Sequence, residues 1–583
     1  MIRKLLALAV IPLILLAVAR GAESLTLYSW NQVVKYQSPY LSQLPFGQPS
    51  ERVTSQVIVF VADGLRLDTS REMPTLNKLR QQGADLVALT GEPSLSLPSW
   101  TVIVSGGYQE VSGVTTNWYE GAARIDSIFA EAKRQGLTTA VAGSASWSQL
   151  FGPWIDRSEL PKEPEQYGDM AAIRQHDAQV MTTALGLLRQ SKPNLMLIHL
   201  SGPDYAGHSF GGASQEYRNE AQVTDGHLAS LLESIDLSQT TLVFTADHGQ
   251  IDTGGHGGWE SVVKQTPLVI AGKGIKGAGS VKQVGQADIA PTVATLLGTP
   301  IPVHSQGRAL LEIVDEPAVA KGQHGLAVAR QLAVLGDAMA SKLGGKPFAQ
   351  ARLAAAQAGI GNGDPNALAD FQDQLAREVQ SARDGKMNGE RLLRFPLALL
   401  VVGLPIVHIW RTPRKRDFLV PLVGAATYFA LYNALFFVRG YQWSLSVFNH
   451  EELLASFFKQ RGMEALGAVV AATILVGILS RRRSALDTAW AVINTSFLIA
   501  YLLVIQIAVF YVLYGFSYSW YIPDLQIGFK SYLDLVQLVS TVWPMLYLPV
   551  VIVLPPLGIG VKFLASWILA RRQPQPEPAA PVR

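Results

Sequence analysis

The chain has 583 residues, a net charge of +3, a charged fraction of 16 % and a mean hydropathy of +0.20. That length excludes a single small module, that hydropathy excludes a disordered chain, and that charge gives no footprint for nucleic acid. Zero cysteines exclude disulfides, a thiolate zinc site, an iron–sulfur cluster and a cysteine nucleophile, so any metal must be held by His, Asp, Glu or hydroxyl groups.

Residues 1–28 contain an apolar run from Leu5 to Ala19 behind Arg3 and Lys4. The run has about the length of a signal-peptide core and is shorter than the ~20 residues of a span. Ala17-Val18-Ala19 resembles a cleavage site, so removal is one reading; the favoured reading is a signal anchor completed by Gly21 to Tyr28. On either reading the chain that follows is expected to leave the cytoplasm.

Residues 50–312 have the composition of a soluble α/β domain. Short apolar runs predict buried strands at Val57–Ala62, Leu195–Leu200, Thr241–Thr245 and Leu268–Ala271. Helical spacing lies between them, as at Met73–Gln82 and Arg124–Gln135. The alternation predicts an α/β fold with a mostly parallel sheet sandwiched by helices. In such folds, sites form at the C-terminal ends of the strands. Residues 313–392, rich in Ala, Gln, Arg and Gly, are expected to be a helical connector packed beneath this domain.

Residues 393–572 change class. Five apolar stretches, near Phe395–Trp410, Phe418–Val438, Ala465–Ser480, Ala491–Phe516 and Trp543–Ala570, predict an all-α membrane domain with five transmembrane helices. Arg411, Arg414, Lys415 and Arg416 follow the first stretch, Arg481 to Arg483 the third, and Arg571 and Arg572 the fifth. If the stretches alternate and the N-terminal run also spans, all these clusters share one side with Arg3 and Lys4. The positive-inside rule then places both termini and the Pro-rich tail at 573–583 in the cytoplasm, and the α/β domain outside it. Tyr441, Trp443 and Tyr518 to Tyr521 would sit at the outer interface.

Four segments of the α/β region carry chemistry. Val59 to Ala62 is a strand ending in Asp63-Gly64; Pro93 to Ser99 holds three hydroxyls, Ser94, Ser96 and Ser99. His199 to His208 contains Asp204 and His208, and Thr245 to Gly258 contains Asp247, His248 and His256. Each member alone also fits a structural role: an Asp-Gly turn, a helix cap at Ser96, solvated histidines in Gly-rich loops. Together, Asp63, Asp204, His208, Asp247, His248 and His256 are enough ligands for two divalent metals, zinc or manganese by the hardness of carboxylate and imidazole. A metal pair can clamp the attacking and leaving oxygens of a displacement at phosphorus, and a ligated hydroxyl becomes a nucleophile. His199 lies inside an apolar run and reads as core or as a support behind the ligands. His176, His227, His304, His324, His408 and His450 have no partner in sequence and read as structural. The glycines form no nucleotide-binding loop at a strand–helix junction.

The strings VFVADGLR from Val59 to Arg66, HLSGPDYAGH from His199 to His208, FTADHGQIDTGGHGG from Phe244 to Gly258 and QADIAPTVATLLGTPIPVHSQG from Gln286 to Gly307 resemble the alkaline phosphatase superfamily, in its type I phosphodiesterase and nucleotide pyrophosphatase branch. Within it they look like the lumenal domain of the GPI ethanolamine phosphate transferases, the enzyme acting on the first mannose in particular. The resemblance implies that Asp63, Asp247 and His248 hold one metal beside the nucleophile, and that Asp204, His208 and His256 hold the other. It implies Ser96, before Leu97-Pro98, as the nucleophile and metal ligand, with Ser94 the runner-up. In pyrophosphatase relatives an Asn helps to hold the phosphoryl oxygen; here Ser99, three residues on from Ser96, is the expected substrate-binding group. A second departure is size, because the eukaryotic transferases carry a longer membrane domain.

The expectation is therefore a membrane-bound phosphoethanolamine-type transferase working through a phospho-enzyme on Ser96. Its partners would be a phosphatidylethanolamine-like lipid donor and a lipid or glycan acceptor, with no nucleic acid. The alternative is an extracytoplasmic hydrolase with water as acceptor; a degenerate, non-enzymatic domain is disfavoured because every expected ligand is present.

Overall fold

The computed structural model describes residues 1–164, 167–277, 282–411, 415–449, 453–542 and 550–571. The expected tail, Arg414, His450, Arg572 and the start of the last apolar stretch at 543–549 lie outside the described residues.

Among the described residues, one eight-stranded sheet organises the first part of the chain. Its strands are β1 (Gln56–Ala62), β2 (Ala84–Leu89), β3 (Thr139–Ala142), β4 (Arg157–Glu159), β5 (Leu195–Leu200), β6 (Thr240–Thr245), β7 (Gln265–Gly272) and β8 (Lys282–Gly285). The order is β4-β3-β5-β1-β6-β7-β2-β8, and β7 alone runs against the others. The expected mostly parallel sheet sandwiched by helices is therefore present. The apolar runs read from sequence became β1, β5, β6 and β7 because strands buried on both faces are continuously apolar. In β1, Val57, Val59 and Val61 enter the core on one face, while Ile58, Phe60 and Ala62 enter the core on the other. Full burial of such side chains stabilises by about 1.5–3 kcal/mol each. The strands not anticipated are outer ones. In β2 burial alternates along the strand, and β4 is exposed throughout. Met73–Gln82 is a helix from Pro74, and Arg124–Gln135 is helical only over Ile128–Arg134, where the Ser127 hydroxyl accepts from Ala130 N.

The connector helices Ala318–Lys342 and Ala349–Gly361, with the start of Pro365–Arg411, cover one sheet face. Val328, Leu332, Leu353, Phe371 and Leu375 share a core with β1 and β5. The helix Pro365–Arg411 is 47 residues long and passes without a break from connector to membrane domain, so the boundary expected at 392/393 falls inside one helix. Its apolar part exposes Leu392, Leu393, Leu404 and Trp410, as a surface facing hydrocarbon would.

Among the described residues, six helices are long and apolar enough to cross a bilayer: Ile2–Val34, Pro365–Arg411, Arg416–Val438, Leu453–Leu479, Ala485–Tyr514 and Val550–Arg571. They make the chain an integral membrane protein. Leu525–Val542, not anticipated, is a further helix with one apolar face. The N-terminal helix packs Ile11, Leu15, Ala19 and Ala22 into the bundle core. Its Lys4 pairs with Asp487 and lies 4.0 Å from Asp417, and Ser566 donates to the Arg481 carbonyl at 3.2 Å. These contacts gather the chain start, the 415–418 turn and the 480–487 turn at one end of the bundle. The side of the α/β domain is the other end. There Tyr40 donates to the Trp520 carbonyl at 2.6 Å, Trp520 Nε1 donates to Glu390 at 2.9 Å, and Thr115 donates to the Val33 carbonyl at 2.7 Å.

If a bilayer separates these ends, cysteines introduced singly into this cysteine-free chain at Ser519 and Arg482, both exposed, should differ in labelling. An impermeant maleimide applied to intact cells should react with Ser519→Cys and spare Arg482→Cys until the membrane is permeabilised. Equal labelling of both would show that no bilayer lies between them.

Candidate active site

Three adjacent central strands, β5, β1 and β6, end at the same level: Ala62 is level with Leu200 and Val61 with Thr245. Asp63 follows β1 directly. Asp247 and His248 follow β6. Asp204 and His208 lie one turn apart on the helix Gly202–Phe210 that follows β5. That helix is held at its start by Asp177, whose carboxylate accepts from Ser201 N at 3.2 Å and Gly202 N at 2.9 Å. His256 comes from the Gly-rich loop beyond His248.

All six side chains are buried. His248 Nε2 lies 3.5 Å from Asp63 Oδ1, 3.4 Å from Asp247 Oδ2 and 3.3 Å from Ser96 Oγ. His208 Nε2 lies 3.3 Å from Asp204 Oδ2 and 3.2 Å from His256 Nε2, and His256 Nε2 is 3.7 Å from Asp204 Oδ1. Donor atoms on a tetrahedral metal with ~2.1 Å bonds stand about 3.4 Å apart, so both groups have the spacing of a metal site. Asp63 Oδ1 is buried and has no hydrogen-bond partner, as a carboxylate oxygen kept for a metal would be. The residues present fit divalent metal: among the described residues, Asp63, Asp247 and His248, and likewise Asp204, His248 and His256, bring ligand atoms within 4.8 Å of one another.

The charges fit as well. Burial, then Asp247 and Asp204, push the Asp63 carboxyl well above the usual range, and burial also raises Asp247. Burial works against ionised Asp204, but His208, His256 and His248 hold its pKa below the usual range. Burial lowers His248 to about 4 and His256 to about 3, with His248 adding to the shift at His256. The rings of His248 and His256 are thus neutral at pH 7, the form that binds metal.

A surrounding layer of hydrogen bonds aims these groups. Asp247 accepts from Gly64 N at 3.0 Å, from His248 N at 2.9 Å and from Trp100 Nε1 at 2.8 Å. Gln250 Nε2 donates to Asp204 at 2.6 Å. His199 Nε2 is 2.9 Å from Asp63 Oδ2, so this histidine supports a carboxylate from behind. Gly64 has φ +67°, and a Cβ there would meet Asp204 Cα at 2.8 Å; no other residue fits that turn.

Ser96 is the first residue of the helix Ser96–Ser105, where N–H groups and the helix dipole favour an anion. Ser94 is fully buried and donates to the Gly258 carbonyl at 2.9 Å. Ser99 is fully buried too, away from the cavity that Ser96 lines. Asn117 stands there instead, accepting from Leu97 N at 3.0 Å. It is 21 residues from Ser96 in a segment without periodic pattern, so only its residue type could have drawn attention to it. His176 pairs with Asp177 at 3.0 Å, His304 with the Ser42 carbonyl at 3.0 Å, His324 with Ser50 at 3.1 Å and His408 with Asn494 at 3.0 Å, all structural contacts.

The site opens into a cavity of about 240 Å³. Ser96, Asn117, Asp204, His208 and His256 form its polar end. Trp30 and Val33 of the N-terminal helix, with Phe448, Phe458, Phe529 and Tyr532 of the membrane domain, form its apolar walls.

Residues 57–288 match the family model of type I phosphodiesterase / nucleotide pyrophosphatase, so the chain carries a domain of that family. It is similar to GPI ethanolamine phosphate transferase 1 of Mus musculus, at 29 % identity over 331 residues, 48 % of this chain and 34 % of that protein. It is also similar to the Homo sapiens enzyme, at 27 % over 332 residues, again 48 % and 34 %. The match spans about a third of the length of these relatives. Among solved structures, the alkaline phosphatase PafA is similar at 12 % identity and a TM-score of 0.38, over 47 % of this chain and 100 % of that one. Murine ectonucleotide pyrophosphatase / phosphodiesterase 5 is similar at 12 % and 0.35, over 42 % and 96 %.

His256→Ala should lower bound zinc from about two ions per chain to about one, read by elemental analysis after dialysis. Asp63, Asp247 and His248 stay intact in that variant. An unchanged zinc content would remove His256 from the ligand set.

Proposed function

We propose that the chain is a phosphoethanolamine-type transferase of the outer membrane face. The observation that carries the reading is the joining of a buried Asp/His cluster fit for divalent metal, and a serine, to an apolar chamber walled by the N-terminal helix and by helices of the C-terminal region. A water-soluble diester needs no such chamber. A lipid held by its acyl chains there would present its phosphate to Ser96. The headgroup class comes from the relatives, and the donor is phosphatidylethanolamine-like.

Asp63, Asp247 and His248 would hold one ion, zinc or manganese, with Ser96 as a further ligand. Asp204, His208 and His256 would hold the other. Such ions lower the pKa of a hydroxyl and neutralise phosphoryl charge. Ser96 Oγ attacks phosphorus; the Oγ–P bond forms and the bond to the diacylglycerol oxygen breaks. The leaving alcohol gains the proton that Ser96 loses. The first turn of the helix at Ser96 and the Asn117 amide face the phosphoryl oxygens. A hydroxyl of a lipid-linked glycan then displaces Ser96 by the same step reversed. Basic residues at the far end of the bundle support an extracytoplasmic domain and a cytoplasmic N-terminus.

The test uses purified full-length chain, phosphatidylethanolamine labelled in its headgroup, and total membrane extract. Label should move to another lipid or glycan; label released as free phosphoethanolamine with no acceptor would select the hydrolase instead. Ser96→Ala should lower turnover by roughly a thousandfold or more while zinc content stays near two. Full activity in that variant, or a trapped adduct on Ser94, would displace Ser96 as nucleophile.

A further inference from the structure

The three histidine rings of the cluster show one pattern. His248 Nδ1 is 3.1 Å from the Gly249 carbonyl and His256 Nδ1 is 3.1 Å from the Ser94 carbonyl. A carbonyl only accepts, so each Nδ1 carries the proton and each Nε2 presents a lone pair to the site. His208 has the same arrangement, but its acceptor comes from elsewhere. Its Nδ1 is 3.2 Å from Oδ1 of Asn449, a residue of the membrane domain in the segment after the turn Leu445–Phe448. The orientation of that amide is fixed independently. Asn449 Nδ2 donates to the His208 carbonyl at 2.9 Å, which leaves Oδ1 facing the ring.

Two further observations show that this contact is built in. Asn449 has φ +49° and ψ −58°, a backbone state disfavoured for a residue with a side chain and seen where surrounding structure imposes it. The loop that carries it also lies directly on the metal loop. Ser446 Oγ accepts from Gly258 N at 3.1 Å and donates to Glu260 at 2.9 Å. A Cβ on Gly255, at φ +116°, would stand 2.1 Å from the Ser446 carbonyl oxygen. The Gly-rich run around His256 is therefore shaped to receive the membrane domain as well as to present a ligand.

We propose that Asn449 is a positioning residue for the metal site of Asp204, His208 and His256: by accepting the Nδ1 proton of His208 it fixes the ring with Nε2 toward the metal, so that loading of this site requires the membrane-domain loop to be docked. The inference rests on the reading of His208 as a ligand. Groups that orient metal-binding histidines in this way are typically worth 10–100-fold in metal affinity.

The experiment is a zinc titration of the full-length chain against a competing chelator. Wild type should bind about two ions. Asn449→Gly suits the positive φ and removes the acceptor; it should weaken one of the two sites by roughly 10–100-fold and leave the other unchanged. Asn449→Asp keeps the acceptor oxygen and should restore most of that loss. Ser446→Ala, which loosens the loop without touching His208, should weaken the same site to a smaller degree. Two sites of wild-type affinity in Asn449→Gly would overturn the inference. So would equal weakening of both, or a lowered melting temperature with affinity intact. A wild-type chain that binds no zinc, or an affinity insensitive to His208→Ala, would instead overturn the ligand assignment on which it stands.

Discussion

Three carboxylates, Asp63, Asp204 and Asp247, stand within a few ångströms of one another, and none is more than 7 % exposed. In a dry interior such charges repel and lose hydration, and the cost is several kcal/mol per ion unless cations answer them. Among the described residues, the ion pairs of these three carboxylates are with histidines and not with lysine or arginine. Asp63 and Asp247 are pushed toward the protonated form as a result, and Asp204 alone is held ionised by imidazoles. Divalent cations would answer that charge in place of protons. The rest of the domain serves that constraint. Strands β5, β1 and β6 set the carboxylates side by side; Gly64 and His199 take oxygens of Asp247 and Asp63 that are turned away from the His248 ring, while Trp100 and Gln250 hydrogen-bond to Asp247 Oδ2 and Asp204 Oδ1.

That architecture also explains which parts were legible in sequence. β1, β5 and β6 are buried on both faces, so they read as unbroken apolar runs, and a carboxylate just beyond such a run stands out. Asp63, Asp204, Asp247, His248 and the glycines beside them were visible for this reason. The helices able to cross a bilayer were visible because length and hydropathy are local properties. His199 was read as core or support, and it is the support, since the position that buries its ring also brings Nε2 to Asp63.

What the sequence did not disclose depends on contacts between distant segments. Asn117 reaches Leu97 N only because the chain folds back over the start of the helix Ser96–Ser105, whereas Ser99, nearer in sequence, is fully buried. The edge strand β4 carries no apolar signal because it is buried on neither face. The helix Pro365–Arg411 crosses an expected boundary because the shift from polar to apolar composition does not interrupt backbone hydrogen bonding; one rod serves connector and membrane. Asn449 is 241 residues from His208, and nothing local distinguishes it from a loop asparagine. Its role exists only when two domains are docked.

The docking bears on the proposed reaction of a lipid at this site. A lipid phosphate lies at the bilayer surface, and drawing a whole lipid into water would expose apolar area at about 25 cal/mol per Å². A domain tethered by one anchor would leave that cost in place. Here the N-terminal helix brings Trp30 within 5.2 Å of Trp118, centroid to centroid, and places Val33 on the cavity wall. Phe458 of the helix Leu453–Leu479, and Phe529 and Tyr532 of the helix Leu525–Val542, join the same wall. The cavity wall thus joins apolar side chains of the bundle to Ser96, and on the proposed function acyl chains would remain against these walls while the headgroup meets the polar end. Such a chamber works only if the two domains keep a fixed distance. The contacts that hold it closed, Tyr40 to Trp520, Thr115 to Val33 and the 444–449 loop to the metal loop, lie around its rim. On the proposed function, the interface that would shelter the lipid is the same one that brings Asn449 to His208, which would tie substrate access and site assembly to a single arrangement.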